Sequence, residues 1–158
     1  MKGDRQFLQR YRRRLAVAKK TIKMKKHGSP SDLKAWKWIC SLVETLGKDG
    51  MSSDESDADV HGPVFVAKGM PWRRGCESFM DILDEERITG GLFKKSGHRP
   101  ERRVRRVDAK DSDRKVPKGL PAELYKTQWV ESLDRRQRRL LYSPSGKHFE
   151  FKYYRKKK

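Results

Sequence analysis

Between Ser29 and Gly47 the chain carries Leu33, Trp36, Ile39, Cys40, Leu42, Val43 and Leu46. On a helix these residues form an apolar face too broad to leave in water, so whatever fold the chain adopts must cover it. Ser29 is a ready cap, Pro30 suits the first helical position, Asp32 places an acid three residues after the cap, and Gly47 supplies a stop. Trp36 and Trp38 read as core residues of this element rather than base-stacking platforms.

Material to cover that face is scarce. Of 158 residues only 34% are hydrophobic while 39% are charged, which permits one small domain with much solvated chain around it. The charge is blocked along the sequence. Residues 1–28 carry +10, residues 29–92 carry −5 and residues 93–158 carry +14, making up the net +19. Two basic blocks around an acidic centre point to a polyanion-gripping surface flanking a packed middle.

In the first block Phe7, Tyr11, Leu15, Ala18 and Ile22 recur at steps of three and four and draw one helical stripe from Arg5 to Lys26. Cations fill the rest of the circumference and repel at i,i+4, so the segment reads as a basic helical arm, partly disordered, over residues 1–28. Residues 49–59 are too polar to fold alone and read as an acidic loop. Within it Ser52 has Glu55 and Ser56 has Asp59 three residues on, the setting an acid-directed kinase prefers, and each phosphate would add about −1.5 to −2 charges. This loop is also the expected docking point for protein partners.

Val64–Ala67 suits one buried strand, and Phe79, Met80, Ile82, Leu83 and Ile88 suit a helix stopping at Gly90-Gly91. Its acids Asp81, Asp84, Glu85 and Glu86 point in different directions without a histidine and read as a solvated face, not a metal site. Residues 93–118 form a basic linker, extended or disordered when free. A further helix opens at Gly119-Leu120-Pro121, with Leu124, Tyr125, Trp129, Val130 and Leu133 on one side. After the turn Pro144-Ser145-Gly146-Lys147, Phe149, Phe151 and Tyr153 alternate as in a half-buried strand that closes a core, and residues 155–158 are a basic tail. The fold expected is therefore α+β: about three helices and two or more short strands over residues 29–154.

The Gly50-Met51-Ser52-Ser53-Asp54-Glu55-Ser56 run, the Pro71-Trp72-Arg73 turn, Leu83-Asp84, and Gly119-Leu120-Pro121-Ala122-Glu123-Leu124-Tyr125 with Trp129 together resemble an uncharacterised, multi-copy family of small proteins from mushroom-forming fungi. The resemblance spans roughly residues 30 to 154 and implies a DNA-associated accessory or domesticated protein of mobile-element origin. No catalytic residues are established for that family, so none is transferred.

The chemistry expected is binding rather than catalysis. Two cysteines, Cys40 and Cys76, are too few for a disulfide framework or zinc knuckle. No histidine sits beside a nucleophile in a recognisable pattern, and Glu150-Phe151-Lys152 lacks the upstream acid-bearing strand that a metal-dependent nuclease needs. No cofactor, metal, catalytic residue or small-molecule substrate is expected. No apolar run approaches the roughly 20 residues of a membrane helix and no signal peptide is visible, so a soluble, nuclear protein without membrane contact is expected.

The residues expected to meet nucleic acid, DNA more than RNA and without sequence preference, are Arg12, Arg13, Arg14, Lys19, Lys20, Arg102, Arg103, Arg105, Arg106, Arg135, Arg136, Arg138 and Arg139. Arginine pairs bidentately with phosphate, and these cluster. Zinc-finger, RNP-type and zipper signatures are lacking. The competing readings are a protein-interaction adaptor in a chromatin or transposition complex, and an RNA or ribosome-assembly factor.

Overall fold

The structure is a computed structural model. It describes residues 2–51, 54–59, 62–89, 102–106, 109–112, 114–142 and 148–151, with side chains for all of these except 2–4, 54–59, 62, 63, 88, 89 and 102. The expected Gly90-Gly91 stop, the turn 144–147, Tyr153 and the tail 155–158 lie outside the described residues, as does Ser52.

Helix α2 (Pro30–Leu46) buries Trp36, Trp38, Ile39, Cys40, Leu42, Val43 and Leu46. Ser29 precedes it without a side-chain cap bond, and Asp32 instead pairs with Lys25 Nζ at 2.7 Å across the turn from the preceding helix. Gly47 ends it at φ +63°, ψ −170°, a conformation essentially closed to residues with a Cβ.

Helix α1 (Lys2–Met24) packs along α2 and also meets α3 (Glu77–Thr89). Phe7, Val17 and Ala18 are buried in the same core as the α2 face, with Tyr11, Leu15 and Ile22 partly buried against it. The expected helix is present, but as a packed layer of the domain rather than an arm held away from it. Its apolar stripe is what docks it, and docking supplies the stability that its repelling cations withhold. Phe79, Met80 and Leu83 of α3 complete this core together with Met51, Leu124 and Phe149.

A three-stranded sheet carries strand order β1-β2-β3, from β1 (Asp54–Asp59), β2 (Gly62–Ala67) and β3 (Arg102–Val104). β1 runs antiparallel to β2, with Ser56 opposite Phe65, and β3 runs parallel to β2, with Phe65 opposite Arg103. Val64, Val66 and Ala67 are buried, as a central strand requires.

Two expectations change here. Residues 54–59 are a strand, not loop, because sheet pairing uses the main chain and tolerates acids on an edge strand, where charge discourages further pairing. Part of the 93–118 linker is likewise ordered: residues 102–104 pair with β2, and Asp111 bridges Gly69 through Gly69 N–H to Lys110 O (2.9 Å) and Ser112 N–H to Gly69 O (2.8 Å).

The helix expected after Pro121 is broken into a single 3-10 turn (Ala122–Leu124), α4 (Thr127–Glu131) and α5 (Arg135–Leu141). The break has a tertiary cause. Tyr125 and Lys126 are extended because this segment bridges the chain at Arg73: Arg74 N–H donates to Leu124 O at 2.9 Å and Lys126 N–H to Trp72 O at 2.7 Å. Met70, Trp72, Tyr125 and Leu141 form a second, smaller core around that bridge. Tyr125 is its hub, with ring contacts to Trp72, Trp129 and Tyr142 and its hydroxyl donating to Pro117 O at 2.7 Å. The architecture is thus a small α+β domain.

Candidate nucleic-acid interface

The expected phosphate contacts separate into two populations. Arg14 belongs to the interior: it is 3% exposed, and its Nε and Nη2 donate to the two carboxylate oxygens of Asp84 at 3.0 and 2.9 Å. Arg103 approaches the same carboxylate at 3.4 Å, and Arg105 Nε donates to Asp81 at 2.8 Å. Burial pushes the Asp84 carboxyl up, but the bonds and charge of Arg14, joined by Arg103 and Arg105, outweigh it and hold the group below the usual carboxylate range. Asp81 and Asp84 are therefore counter-ions for buried or half-buried arginines, not merely a solvated face. Arg106 is half-buried, and the side chain of Arg102 lies outside the described residues.

Two further arginines, together with Arg14, hold the turn that follows α2. Arg73 is 3% exposed and donates from Nη1 to Gly50 O at 2.7 Å. Arg114 donates to Met51 O at 2.9 Å, reaches Asp49 at 3.4 Å and stands over the Phe7 ring at 3.3 Å. Arg14 Nη1 meets Met51 Sδ at 3.1 Å. Guanidinium groups suit this work because several donors in one plane satisfy scattered carbonyls while the flat face covers an aromatic ring.

The second population faces outward. On α1, Arg5, Arg12, Arg13, Lys19, Lys20 and Lys23 are exposed, and none has an ion-pair partner among the described residues. α5 presents Arg135, Arg136 and Arg139 in the same way. That short helix is fixed by a capping box: Gln137 N–H donates to Asp134 Oδ1 at 2.7 Å and Asp134 N–H donates to Gln137 Oε1 at 3.0 Å. Arg138 is spent differently, donating to Val130 O and Glu131 O at 3.0 and 2.9 Å and so closing the end of α4. Arg5 and Lys23 were not among the expected contacts; their seven-residue spacing from Arg12 and from Ala16 is the signal that places them on the outer face.

Cys40 and Cys76 are buried free thiols whose acidities are both weakened, first by burial. No three metal-ligating side chains come together among the described residues. A shallow cleft of about 540 Å³ lies between α2 and the 148–150 segment, lined by Lys34, Lys37, Trp38, Ser41, His148, Phe149 and Glu150. The aromatic residues there are structural: Trp38 Nε1 donates to Glu150 O at 2.7 Å, and its ring packs on Phe149 and Phe151. Ser56 lies within β1 and pairs by backbone with Phe65. No described helix is long and apolar enough to cross a membrane. The chain matches no protein-family model, no curated protein and no solved structure in these comparisons.

Proposed function

We propose that this protein is a non-enzymatic, nuclear nucleic-acid-associated protein that grips DNA in preference to RNA through its outward cations, without reading sequence. The observation that carries the reading is the segregation of charge. Arg14, Arg103 and Arg105 are paired with Asp84 and Asp81, whereas Arg5, Arg12, Arg13, Lys19, Lys20 and Lys23 of α1 and Arg135, Arg136 and Arg139 of α5 are exposed and form no ion pair among the described residues. An array of unpaired cations on a folded surface carries a positive field into solvent, and phosphate polymers meet it by releasing condensed counterions. The resemblance to the fungal family accords with a DNA-associated accessory role.

Fluorescence anisotropy with labelled duplex DNA across a salt series tests the proposal. Engagement of six phosphates, one for each outward cation of α1, gives a log–log salt slope of about −5.4. Weak binding to every nucleic acid near physiological salt, or a slope near zero, refutes it.

A further inference from the structure

Resting on that nucleic-acid reading, we infer that the outer face of α1 is a major-groove helix for duplex DNA, with its cations arranged as two rails that meet the two phosphate backbones. The docked side of α1, centred on Phe7, Arg14, Val17, Ala18 and Thr21, is buried. Opposite it three rows run along the helix, each repeating every seven residues. One row holds Arg5, Arg12 and Lys19, and another holds Gln6, Arg13 and Lys20. Because Arg12 and Arg13 are neighbours, as are Lys19 and Lys20, the two rows stand about 100° apart around the axis.

Between them lies the third row, Gln9, Ala16 and Lys23, three or four residues from members of both rails. All nine side chains are exposed. The midline is thus slim and neutral over Gln9 and Ala16, and the charge is thrown to either side.

A face of this kind selects its partner by shape as well as charge. A helix with its side chains is about 10–12 Å across, and the B-form major groove is about 12 Å wide with a phosphate backbone along each wall. Seated there, the rails reach both walls while the slim, neutral midline of Gln9 and Ala16 leaves room for the helix to sit deep in the groove. Duplex RNA fits poorly, because its major groove is too deep and narrow for side chains to read. Single strands are bound largely by stacking on aromatic side chains, and none of these nine residues is aromatic. Of duplex DNA, duplex RNA and single strands, duplex DNA fits both the charge and the shape of this face.

The test uses the full chain and four probes: a mixed-sequence 20-base-pair duplex DNA, the same sequence as duplex RNA, the single DNA strand, and heparin. Paired variants Arg12→Ala with Lys19→Ala, and Arg13→Ala with Lys20→Ala, each remove one rail. A control, Arg135→Ala with Arg136→Ala, removes cations from α5. All are exposed positions, and circular dichroism confirms that each variant is folded.

Each rail variant is expected to weaken duplex DNA binding by at least about tenfold near 0.1 M salt and to flatten the salt slope by about 1.8, two phosphate contacts' worth. Wild type binds duplex DNA at least about tenfold more tightly than duplex RNA. Dimethyl sulfate footprinting shows guanine N7, in the major groove, protected and adenine N3, in the minor groove, still reactive. Duplex DNA binding that survives both rail variants, or protection of adenine N3 instead, overturns this inference and leaves the nucleic-acid reading standing, whereas equal affinity for duplex RNA overturns this inference together with the preference for DNA. Failure to bind the duplex DNA, the duplex RNA and the single strand, whether or not heparin binds, overturns both.

Discussion

Replacing Asp84 by Asn separates the interior role of arginine from its surface role. The carboxylate accepts two bonds from Arg14 and stands 3.4 Å from Arg103. An amide retains one acceptor oxygen and no charge, which leaves the Arg14 guanidinium, 3% exposed, without its ionic partner. Breaking a fully buried pair from one side costs about 3–5 kcal/mol. The Asp84 side chain is 31% exposed, so water already screens part of the attraction, and about 2–3 kcal/mol is the expected loss.

Arg14→Met should cost less, about 1–2 kcal/mol, since the carboxylate left behind reaches water and keeps Arg103. The pH dependence follows in sign. Asp84 titrates lower in the folded state than in the unfolded chain, so its contribution is complete above an ordinary carboxylate pKa of about 3.9 and disappears as pH falls through the folded-state value. Urea melts of wild type, D84N and R14M at pH 6 and again near pH 3 measure all of this. A D84N loss under about 0.5 kcal/mol, an Arg14→Met variant less stable than D84N, or a gap between wild type and D84N that does not narrow in acid refutes the argument.

Gly47→Ala should destabilise by about 1–3 kcal/mol purely through its backbone, because nothing lies within 4 Å of the added Cβ while φ is +63°; an unchanged urea midpoint would contradict the assigned helix end. Asp134→Ala removes half of the α5 capping box, and about 1 kcal/mol of local stability should vanish, seen as faster amide exchange over residues 135–141 while α2 amides hold steady. Phe149→Ala empties a site 8% exposed against Trp38 at 5.7 Å. A loss of about 3 kcal/mol with red-shifted tryptophan emission is expected, and a loss under 1 kcal/mol would mean that the 148–151 segment does not close the core.

The parts of this fold legible in the sequence are those whose cause is local. Ser29-Pro30 and Gly47 mark α2 to within a residue, and the four-residue apolar run 64–67 marks most of β2, because caps, turns and periodicity act over a few residues. What stayed hidden depends on distant partners. Arg14 looks like any other cation of its helix until Asp84, seventy residues away, is folded against it. β1 hides behind its polarity because its partner is the β2 backbone. Tyr125 and Lys126 sit in a stretch of helical spacing, yet the bridge to residues 72–74 outweighs the few tenths of a kcal/mol per residue that propensity supplies. The candidate site divides along the same line: clustering picked out Arg12, Arg13, Lys19 and Lys20 of α1 and Arg135, Arg136 and Arg139 of α5, all exposed, but missed Arg5 and Lys23 and could not separate these cations from Arg14, Arg103, Arg105 and Arg138, whose partners lie elsewhere in the chain.

That division explains how so basic a chain folds with so little apolar material. Uncompensated, forty cations against twenty-one acids would oppose compaction. The structure sets Asp84, Asp81, Glu77 and Asp49 each against an arginine, brought from a distant segment or, for Glu77, from four residues earlier in the chain. Each such pair joins two pieces of chain, as Arg14 joins α1 to α3 and Arg114 joins its segment to the turn after α2. Among the described residues these four acids of the sequence's middle are thereby used in assembling the domain, while α1 and α5 each present a cluster of exposed cations. Repulsion between those cations is tolerable because they are solvated and screened by salt, and an approaching polyanion relieves it. Under the proposed function, the excess that costs stability in the free protein is the same excess that would supply affinity in a complex, so variants that neutralise the outer rows should gain stability as they lose binding.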